Sequence, residues 1–193
     1  MISLTDEQIK RAVKLLEHLP GEAQKVMASA MNRAIEGART AASKAVRGEY
    51  RVSSERVKKT MTLRRATAAQ LTAEVRSVER RPSLFQYAPR PAAAGTGGAG
   101  KPTLRVGVKR SGGRKPLKGA FIVRLGPAGL HVASRTGKKR MPIEVHYGPA
   151  VPQLLGVESV KRHVEAVAQQ RLDARLDHDI GRAIDAAGKA AGR

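Results

Sequence analysis

The strongest chemical signal in this sequence comes from lysines and arginines that stand beside glycine and proline. Residues 110–118 read RSGGRKPLK, and residues 135–140 read RTGKKR. Basic side chains in flexible loops attract phosphate groups without reading bases, because no rigid element holds them against base edges. The sequence therefore predicts two basic loops that are suited to non-specific contact with nucleic acid.

We predict that eight basic residues in and beside these two loops face nucleic acid. They are Lys109, Arg110, Arg114, Lys115, Lys118, Lys138, Lys139 and Arg140. Both loops are expected at strand ends, so that one sheet edge could present them together. The alternative, which the sequence leaves open, is that this charge forms a solvated face that contacts an acidic partner protein.

The positive charge is concentrated in the middle of the chain. The 193 residues carry a formal net charge of +21, with 37 basic and 16 acidic residues. Residues 51–100 hold 10 basic and 3 acidic residues, and residues 101–150 hold 12 and 1. The two ends are nearly neutral, so a polyanion is expected to meet the central part of the chain.

Two nucleotide-binding patterns occur in a single glycine-rich stretch, and both fail on physical grounds. Gly95, Gly97 and Gly100 satisfy G-x-G-x-x-G, and Gly100-Lys101 resembles the end of a P-loop. A P-loop needs a hydroxyl residue after its lysine, whereas Pro102 stands here. Both patterns also need a strand before them and a helix after them, so we interpret this stretch as a flexible loop.

Neither a metal site nor a catalytic group is indicated by the remaining polar residues. The five histidines have no helical pair spacing, and there is no cysteine to complete a zinc site. Glu144 is the one carboxylate between residues 101 and 150, which disfavours a nuclease. We expect no enzymatic activity, no metal and no cofactor.

The start of the sequence, MISLTDEQIK, lacks the basic and apolar regions of a signal peptide, so no such leader is expected. No stretch approaches the roughly 20 apolar residues of a membrane span, so we expect no membrane partner. The absence of cysteine is consistent with assembly inside a cell.

Helical periodicity dominates both ends of the chain. Thr5 and Gln8 fit a capping box, and a stripe of Ile9, Ala12, Val13 and Leu16 follows, ended by Leu19-Pro20-Gly21. Residues 22–47 form an alanine-rich helical pattern, and Ser53 is placed to cap a short basic helix through about Lys59. From about Val157 one apolar stripe continues for roughly eight turns, which predicts a long final helix.

The middle of the chain alternates like strands. Alternation at residues 71–76 and 104–108, and the segments 120–125 and 130–133 around a Gly-Pro-Ala-Gly turn, predict three to five antiparallel strands. Residues 88–102 are rich in proline, glycine and alanine and are interpreted as a flexible arm. The fold class is therefore α+β, with N-terminal helices, a small antiparallel β-sheet and a long C-terminal helix in a single domain of residues 1–193.

One block, MPIEVHYGPAVPQ at residues 141–153, is more distinctive than the rest of the sequence. It resembles the prophage minor tail protein Z family, which shows a proline-isoleucine pair, then tyrosine-glycine-proline, then valine-proline-glutamine. The residues that carry the resemblance are Pro142, Ile143, Tyr147, Gly148, Pro149, Val151, Pro152 and Gln153.

Other segments are similar to the same family in the same order. They include MNRAIEGART in the second helix, the basic helix followed by Leu63-Arg64-Arg65-Ala66, and the segment that begins at Gly119. The resemblance covers about residues 10–185, and the arm at 92–100 departs from it. The proline-rich block is expected to be a rigid structural hook, because each proline fixes φ and removes a hydrogen-bond donor.

The resemblance implies a tail completion protein at the head-proximal end of a phage tail, the neck, assembled in the host cytoplasm. Its implied partners are the tail terminator, the head-tail connector and, without sequence preference, genome DNA. A homo-oligomeric ring is expected, with a hexamer as the expected order. The alternative function is a free-standing, non-specific nucleic-acid-binding protein, which would bind as an isolated chain.

Overall fold

The computed structural model describes residues 4–19, 21–93, 95–98 and 100–191. The chain divides into two compact units. The first unit comprises residues 1–43, 58–77 and 157–193, and the second comprises residues 44–57 and 78–156. Pro20, which we expected to help end the first helix, and residues 94 and 99 of the expected arm lie outside the described residues.

In the first unit, helix α1 (Asp6–Leu15) begins with the predicted capping box. The Gln8 backbone N–H donates to Thr5 Oγ1 at 3.3 Å, and the Thr5 backbone N–H donates to Gln8 Oε1 at 2.8 Å. These two bonds satisfy donors that the first turn of a helix leaves without partners. The helix buries Ala12 and Leu16, which follows its C-terminus, but Val13 of the predicted stripe is 47% exposed.

The core of the first unit lies along α2 (Glu22–Glu49) and α5 (Glu158–Ala191). Only the part of α2 up to Ser43 belongs to this unit. Small and medium-sized side chains on the two helices pack closely, as an alanine-rich sequence with few aromatics requires. The core cluster includes Ala30, Met31, Ala34, Ile35, Leu172, Leu176 and Ile180.

A two-stranded antiparallel sheet completes the first unit. Strand β1 (Met61–Arg64) pairs with β2 (Glu74–Ser77). Between the two strands, the Ala66 backbone forms a reciprocal pair of hydrogen bonds with the Asn32 side chain, at 2.8 and 2.9 Å. Strand β1 was not predicted, because its alternation covers only four residues, Met61–Arg64, and directly follows a short helix.

The second unit contains two further antiparallel sheets. Strand β3 (Leu104–Val106) pairs with β4 (Lys115–Leu117). The other sheet has the order β5 (Ala120–Arg124), β6 (Leu130–Arg135), β7 (Ile143–Val145). The short helix α4 (Val151–Leu155) follows β7 in the sequence. Another short helix, α3 (Ser54–Lys59), has its first residues in this unit and precedes β1 in the sequence.

The predicted fold class is confirmed, with two differences in detail. The described residues form seven strands in three sheets rather than one small sheet of three to five strands. Helix α4 was not predicted, because Pro149 precedes it and Pro152 lies in its first turn. Proline is compatible with the first turn of a helix, so Pro152 does not prevent this helix.

The expected arm at 88–102 makes backbone hydrogen bonds to β5 where it is described. The Gly95 N–H donates to the Ile122 carbonyl at 2.9 Å, and the Ile122 N–H donates to the Thr96 carbonyl at 3.0 Å. Gly97, at φ +83°, lies so close to β5 that an added Cβ would stand 2.3 Å from the Ala120 carbonyl oxygen. The flexibility of the arm stays a prediction, and so does the organisation of the chain as a single domain.

Candidate nucleic-acid interface

All eight residues predicted to face nucleic acid belong to the second unit. Lys109 and Arg110 follow β3, Arg114 and Lys115 lie at the start of β4, and Lys118 is in the turn before β5. The remaining three lie in the connection between β6 and β7. Arg114 is partly buried, and the other seven residues are exposed: Lys109, Arg110, Lys115, Lys118, Lys138, Lys139 and Arg140.

The two basic loops extend from different sheets. The first connects β3 with β4, and the second connects β6 with β7 of the three-stranded sheet. The expectation that one sheet edge presents both loops is therefore wrong. The alternating pattern predicts which segments are strands, but it does not predict which strands pair with each other.

The first loop is held close to its own strands by glycine. A Cβ on Gly107 would stand 2.2 Å from the Gly113 carbonyl oxygen and 3.2 Å from the Arg114 Cα. Gly113 itself has φ +63°, a conformation that glycine adopts without the cost paid by other residues. The two ends of this loop thus pack closely against each other, and this contact fixes the position of the Arg114 backbone.

The start of this loop also pairs with the segment that follows α2. The Arg51 N–H donates to the Val108 carbonyl at 2.9 Å, and the Arg110 N–H donates to the Glu49 carbonyl at 2.8 Å. Tyr50 forms an isolated antiparallel bridge with Lys109. These bonds bring the basic end of α2 and the basic loop together.

Several guanidinium groups in this region donate to backbone carbonyls. Arg110 Nε donates to the Arg47 carbonyl at 2.7 Å, Arg51 Nη2 donates to the Arg110 carbonyl at 3.2 Å, and Arg114 Nε donates to the Ala88 carbonyl at 3.1 Å. A carbonyl oxygen orients a guanidinium but does not neutralise it. The positive charge therefore remains available to an external anion.

The charges in this region are close enough to influence one another. Partial desolvation lowers the pKa of Arg114, and the positive charges of Arg51 and Arg90 lower this pKa further. Sequence reasoning missed Arg51 and Arg90, because each stands outside the basic runs. Only the fold brings them near Arg114.

The second loop is simpler. The Thr136 backbone N–H and hydroxyl both donate to the Pro142 carbonyl, at 3.4 and 3.3 Å, which closes the base of the loop. The Arg135 guanidinium lies over the Phe121 ring, 4.9 Å from its centroid. The basic side chains beyond this base, Lys138, Lys139 and Arg140, are exposed, so this loop presents its charge to solvent.

The proline-rich block at 141–153 is anchored through its glycine. The Gly148 N–H donates to the Pro82 carbonyl at 2.8 Å. A Cβ at Gly148 would stand 2.4 Å from the Tyr87 ring, so this contact requires glycine. The buried Tyr87 hydroxyl donates to the Pro149 carbonyl. Tyr147 is 58% exposed and bridges Ser83 through its backbone.

A largely buried ion pair holds the start of α4. Arg56 donates to the Glu79 carboxylate at 2.9 and 3.2 Å, and Glu79 also accepts from the Val151 N–H at 2.7 Å. The Arg56 guanidinium lies 5.1 Å from the centroid of the Tyr87 ring. Gln153 caps the helix by accepting from the Ala150 N–H at 2.9 Å. We refer to Arg56, Glu79, Tyr87 and the 147–153 segment as the hook.

The electrostatics of the hook follow from burial and from the ion pair. Burial raises the pKa of Tyr87, and the cation of Arg56 opposes this rise only in part. Burial alone would lower the pKa of Arg56, but its interactions with Glu79 and Tyr87 together outweigh burial, so the pKa of Arg56 is raised. Both groups thus hold the protons that they carry near neutral pH.

Within the part of the chain that the structure describes, no three histidine, aspartate or glutamate side chains gather as they would around a metal ion. No helix among the described residues is long and apolar enough to cross a membrane.

Comparison with known proteins gives one match. No curated protein and no solved structure matches the chain. The family model of prophage minor tail protein Z matches residues 8–186, nearly the whole chain. This span includes the hook and both basic loops. The chain therefore belongs to the prophage minor tail protein Z family and is a structural protein of a bacteriophage tail.

Proposed function

We propose that this minor tail protein is a tail completion protein at the head-proximal end of the tail, with the second unit directed at the genome. The observation that carries the proposal is the charge of that unit. It holds 19 basic and 4 acidic residues, a net charge of +15, whereas the first unit holds 18 and 12, a net of +6. DNA that passes through the neck supplies the polyanion that such a unit needs.

Non-specific attraction fits a genome that must move. Exposed lysines and arginines bind phosphates with a strength that depends on salt but not on sequence. Tight base-specific contacts would hold the DNA back when it leaves the particle. The seven exposed residues of the basic loops supply attraction that depends on salt but not on sequence.

The position in the particle is tested by locating the protein. We expect mass spectrometry of purified phage particles to find the chain, and a reconstruction of the neck to place it between the tail terminator and the head-tail connector. Absence from purified particles, or a place at the distal tip, would contradict the proposal.

The role of the charge is tested by changing Lys115, Lys118, Lys138 and Lys139 together to serine. Folding should be unaffected, because exposed charges contribute little to stability. DNA retention or infectivity of the assembled particles should fall. Variant particles with normal DNA content, infectivity and ejection would show that the charge serves another purpose, such as contact with an acidic protein.

We further propose that the protein acts as a homo-oligomeric ring, with a hexamer as the expected order. In the first unit, three apolar side chains are 44–47% exposed, Val13, Leu15 and Ile184, and a neighbouring copy would cover them. The copy number in a reconstructed neck tests this. One or two copies would contradict it.

The alternative, a free-standing nucleic-acid-binding protein, predicts a different distribution. Such a protein would bind DNA as an isolated chain and would remain in the host cell rather than in particles. The particle analysis above distinguishes the two.

A further inference from the structure

Three arginines of the second unit come from separate segments, Arg51 after α2, Arg90 before β3 and Arg114 just before β4, and their charges influence one another. We refer to them as the arginine cluster. They stand 39 and 24 positions apart in the sequence. Neither of the two predicted basic loops contains Arg51 or Arg90.

Backbone hydrogen bonds hold the three segments beside one another. Arg90 exchanges two hydrogen bonds with Arg105 of β3, at 2.8 and 2.9 Å, and Arg105 faces Pro116 of β4 in the sheet register. Arg114 Nε returns to the Ala88 carbonyl at 3.1 Å, two residues before Arg90. The Arg51 N–H is bonded to Val108, on the same connection that leads to Arg114.

The cluster is an unfavourable arrangement without an anion. Like charges that approach one another on a protein repel: desolvation lowers the pKa of Arg114, and the nearby charges of Arg51 and Arg90 lower this pKa further. In addition, the Arg51 Nε is buried and has no hydrogen-bond acceptor among the described residues. A buried donor without an acceptor destabilises the fold, so the Arg51 side chain adds to the cost of this arrangement.

We propose that Arg51, Arg90 and Arg114 form a phosphate-binding site that holds one phosphodiester of the DNA backbone. The proposal rests on the proposed function and assigns a fixed contact within it. A guanidinium has five donors in a planar fork, and the donors of Arg51 and Arg114 that do not bond backbone carbonyls can surround one phosphate together with those of Arg90. The backbone carbonyls that orient Arg51 and Arg114 reduce the loss of side-chain freedom on binding.

Nucleic acid fits the surroundings better than an acidic peptide does. Duplex DNA carries one negative charge per about 1.7 Å of helix axis, so a strand held at the cluster brings further phosphates to neighbouring cations. Lys109, Arg110 and Lys115 adjoin the cluster in sequence and are exposed. A single carboxylate side chain would leave these three charges unmatched.

The site is tested with the full-length chain and a fluorescent duplex of mixed sequence, by measuring binding over a range of salt concentrations. The variant Arg51→Gln/Arg90→Gln/Arg114→Gln removes the cluster. The matched control, Lys138→Gln/Lys139→Gln/Arg140→Gln, removes the same charge from the other loop. Circular dichroism checks that both variants fold.

The two variants should differ in both affinity and salt dependence. The cluster variant should lose about tenfold or more in affinity at fixed salt, because it loses several charge-assisted bonds to one phosphate. Its salt slope should fall by only about one unit, since each phosphate contact contributes about 0.9. The slope of the control should fall by up to about three units, because its cations meet separate phosphates, and its loss of affinity should be no larger than this lost counterion release accounts for.

A second variant, Arg51→Lys/Arg90→Lys/Arg114→Lys, keeps the charge and removes the planar forks. It should bind the duplex more weakly than the parent protein if the geometry of the cluster matters. Inorganic phosphate should raise the melting temperature of the parent protein and not that of the glutamine cluster variant. This second readout identifies phosphate itself as the ligand.

Several results would overturn the site. If the cluster variant and the control lose affinity and salt slope equally, the charge acts diffusely; the proposed function then survives and the site does not. If the cluster variant binds the duplex normally but loses binding to poly-glutamate, the ligand is an acidic protein. No melting shift of the parent protein with phosphate would also refute the site.

Discussion

Arginines in the first unit pair with carboxylates at the surface, whereas arginines in the second unit are held mainly by backbone carbonyls. Arg11 lies 2.9 Å from Asp177 and Arg65 lies 2.6 Å from Glu36, and all four side chains are about half exposed. Arg110 and Arg114 instead donate to carbonyl oxygens. The acidic residues of the first unit thus offset most of its basic charge and leave a net charge of +6, whereas the second unit keeps +15.

The two units also differ in what stabilises them. The first contains a continuous core of small and medium-sized side chains along α2 and α5. The second buries apolar side chains such as Leu104, Ile122 and Val132 and adds buried polar contacts such as the Arg56–Glu79 pair, whose side chains are only 12% and 17% exposed. Under the proposed function, the unit with the larger net charge is the one that meets the DNA.

The largest expected effect is the loss of a core side chain in the first unit. Leu172→Ala should lower the free energy of unfolding by about 3 kcal/mol, because it removes buried methyl groups and leaves a cavity. Ile184→Ala, on the exposed part of the same helix, should cost less than about 1 kcal/mol. Denaturant unfolding measures both, and equal losses would show that the core does not dominate this unit.

The next effect concerns the ion pair of the second unit. Glu79→Gln should cost about 2–3 kcal/mol, because it leaves the Arg56 charge largely buried without a counter-charge. Glu144→Gln, an exposed change on β7, should stay within about 0.5 kcal/mol. If the Glu79 variant unfolds like the parent protein, the hook does not depend on its charge.

A smaller effect tests the arm at 88–102. Gly97→Ala should cost about 2 kcal/mol, since its Cβ would press on the Ala120 carbonyl at a left-handed φ. Gly95→Ala shares the left-handed φ but has open space, so strain alone should cost about 1 kcal/mol. Faster hydrogen exchange at the Ile122 amide should accompany the first change only. Equal behaviour of the two variants would show that the arm does not bind β5 tightly.

Local patterns explain which parts of the fold could be predicted. Thr5 and Gln8 specify a helix start within four residues, and Ser53 caps α3 by accepting from the Arg56 N–H at 3.2 Å. Two short segments, 120–125 and 130–133, on either side of a Gly-Pro-Ala-Gly turn predicted the β5–β6 hairpin, because turn residues between two short apolar runs are typical of one. These features depend on neighbours in sequence.

Long-range contacts explain what could not be predicted. Glu79 contacts Arg56 and Val151, which are 23 and 72 positions away, and no local pattern relates them. Arg51 and Arg90 stand alone in the sequence, so composition marked the basic loops but not the cluster. The family resemblance indicated that the 147–153 segment matters, while only the structure shows that Gly148 and Pro149 contact Tyr87.

The smallest effect is the dependence of stability on alkaline pH that the buried Tyr87 of the second unit should cause. Burial raises the pKa of Tyr87 in the folded protein. The neutral phenol is therefore favoured by folding, and its contribution is complete below the unfolded pKa of about 10. As the pH rises further, the unfolded chain loses its proton first, so stability is lost until the folded pKa is passed. Tyr87→Phe cannot lose a proton and should escape this loss.

At about pH 8, Tyr87→Phe should be less stable than the parent protein by about 1 kcal/mol, because the bond to the Pro149 carbonyl is lost. Above about pH 10 this difference in stability should narrow, because ionisation of the Tyr87 phenol in the unfolded chain lowers the stability of the parent protein only. Tyr147→Phe, at an exposed position, controls for the removal of a phenol. Denaturant unfolding at both pH values measures the change. A difference that stays constant or widens would show that Tyr87 is not held in its neutral form, and would remove one of the buried polar contacts that distinguish the second unit from the first.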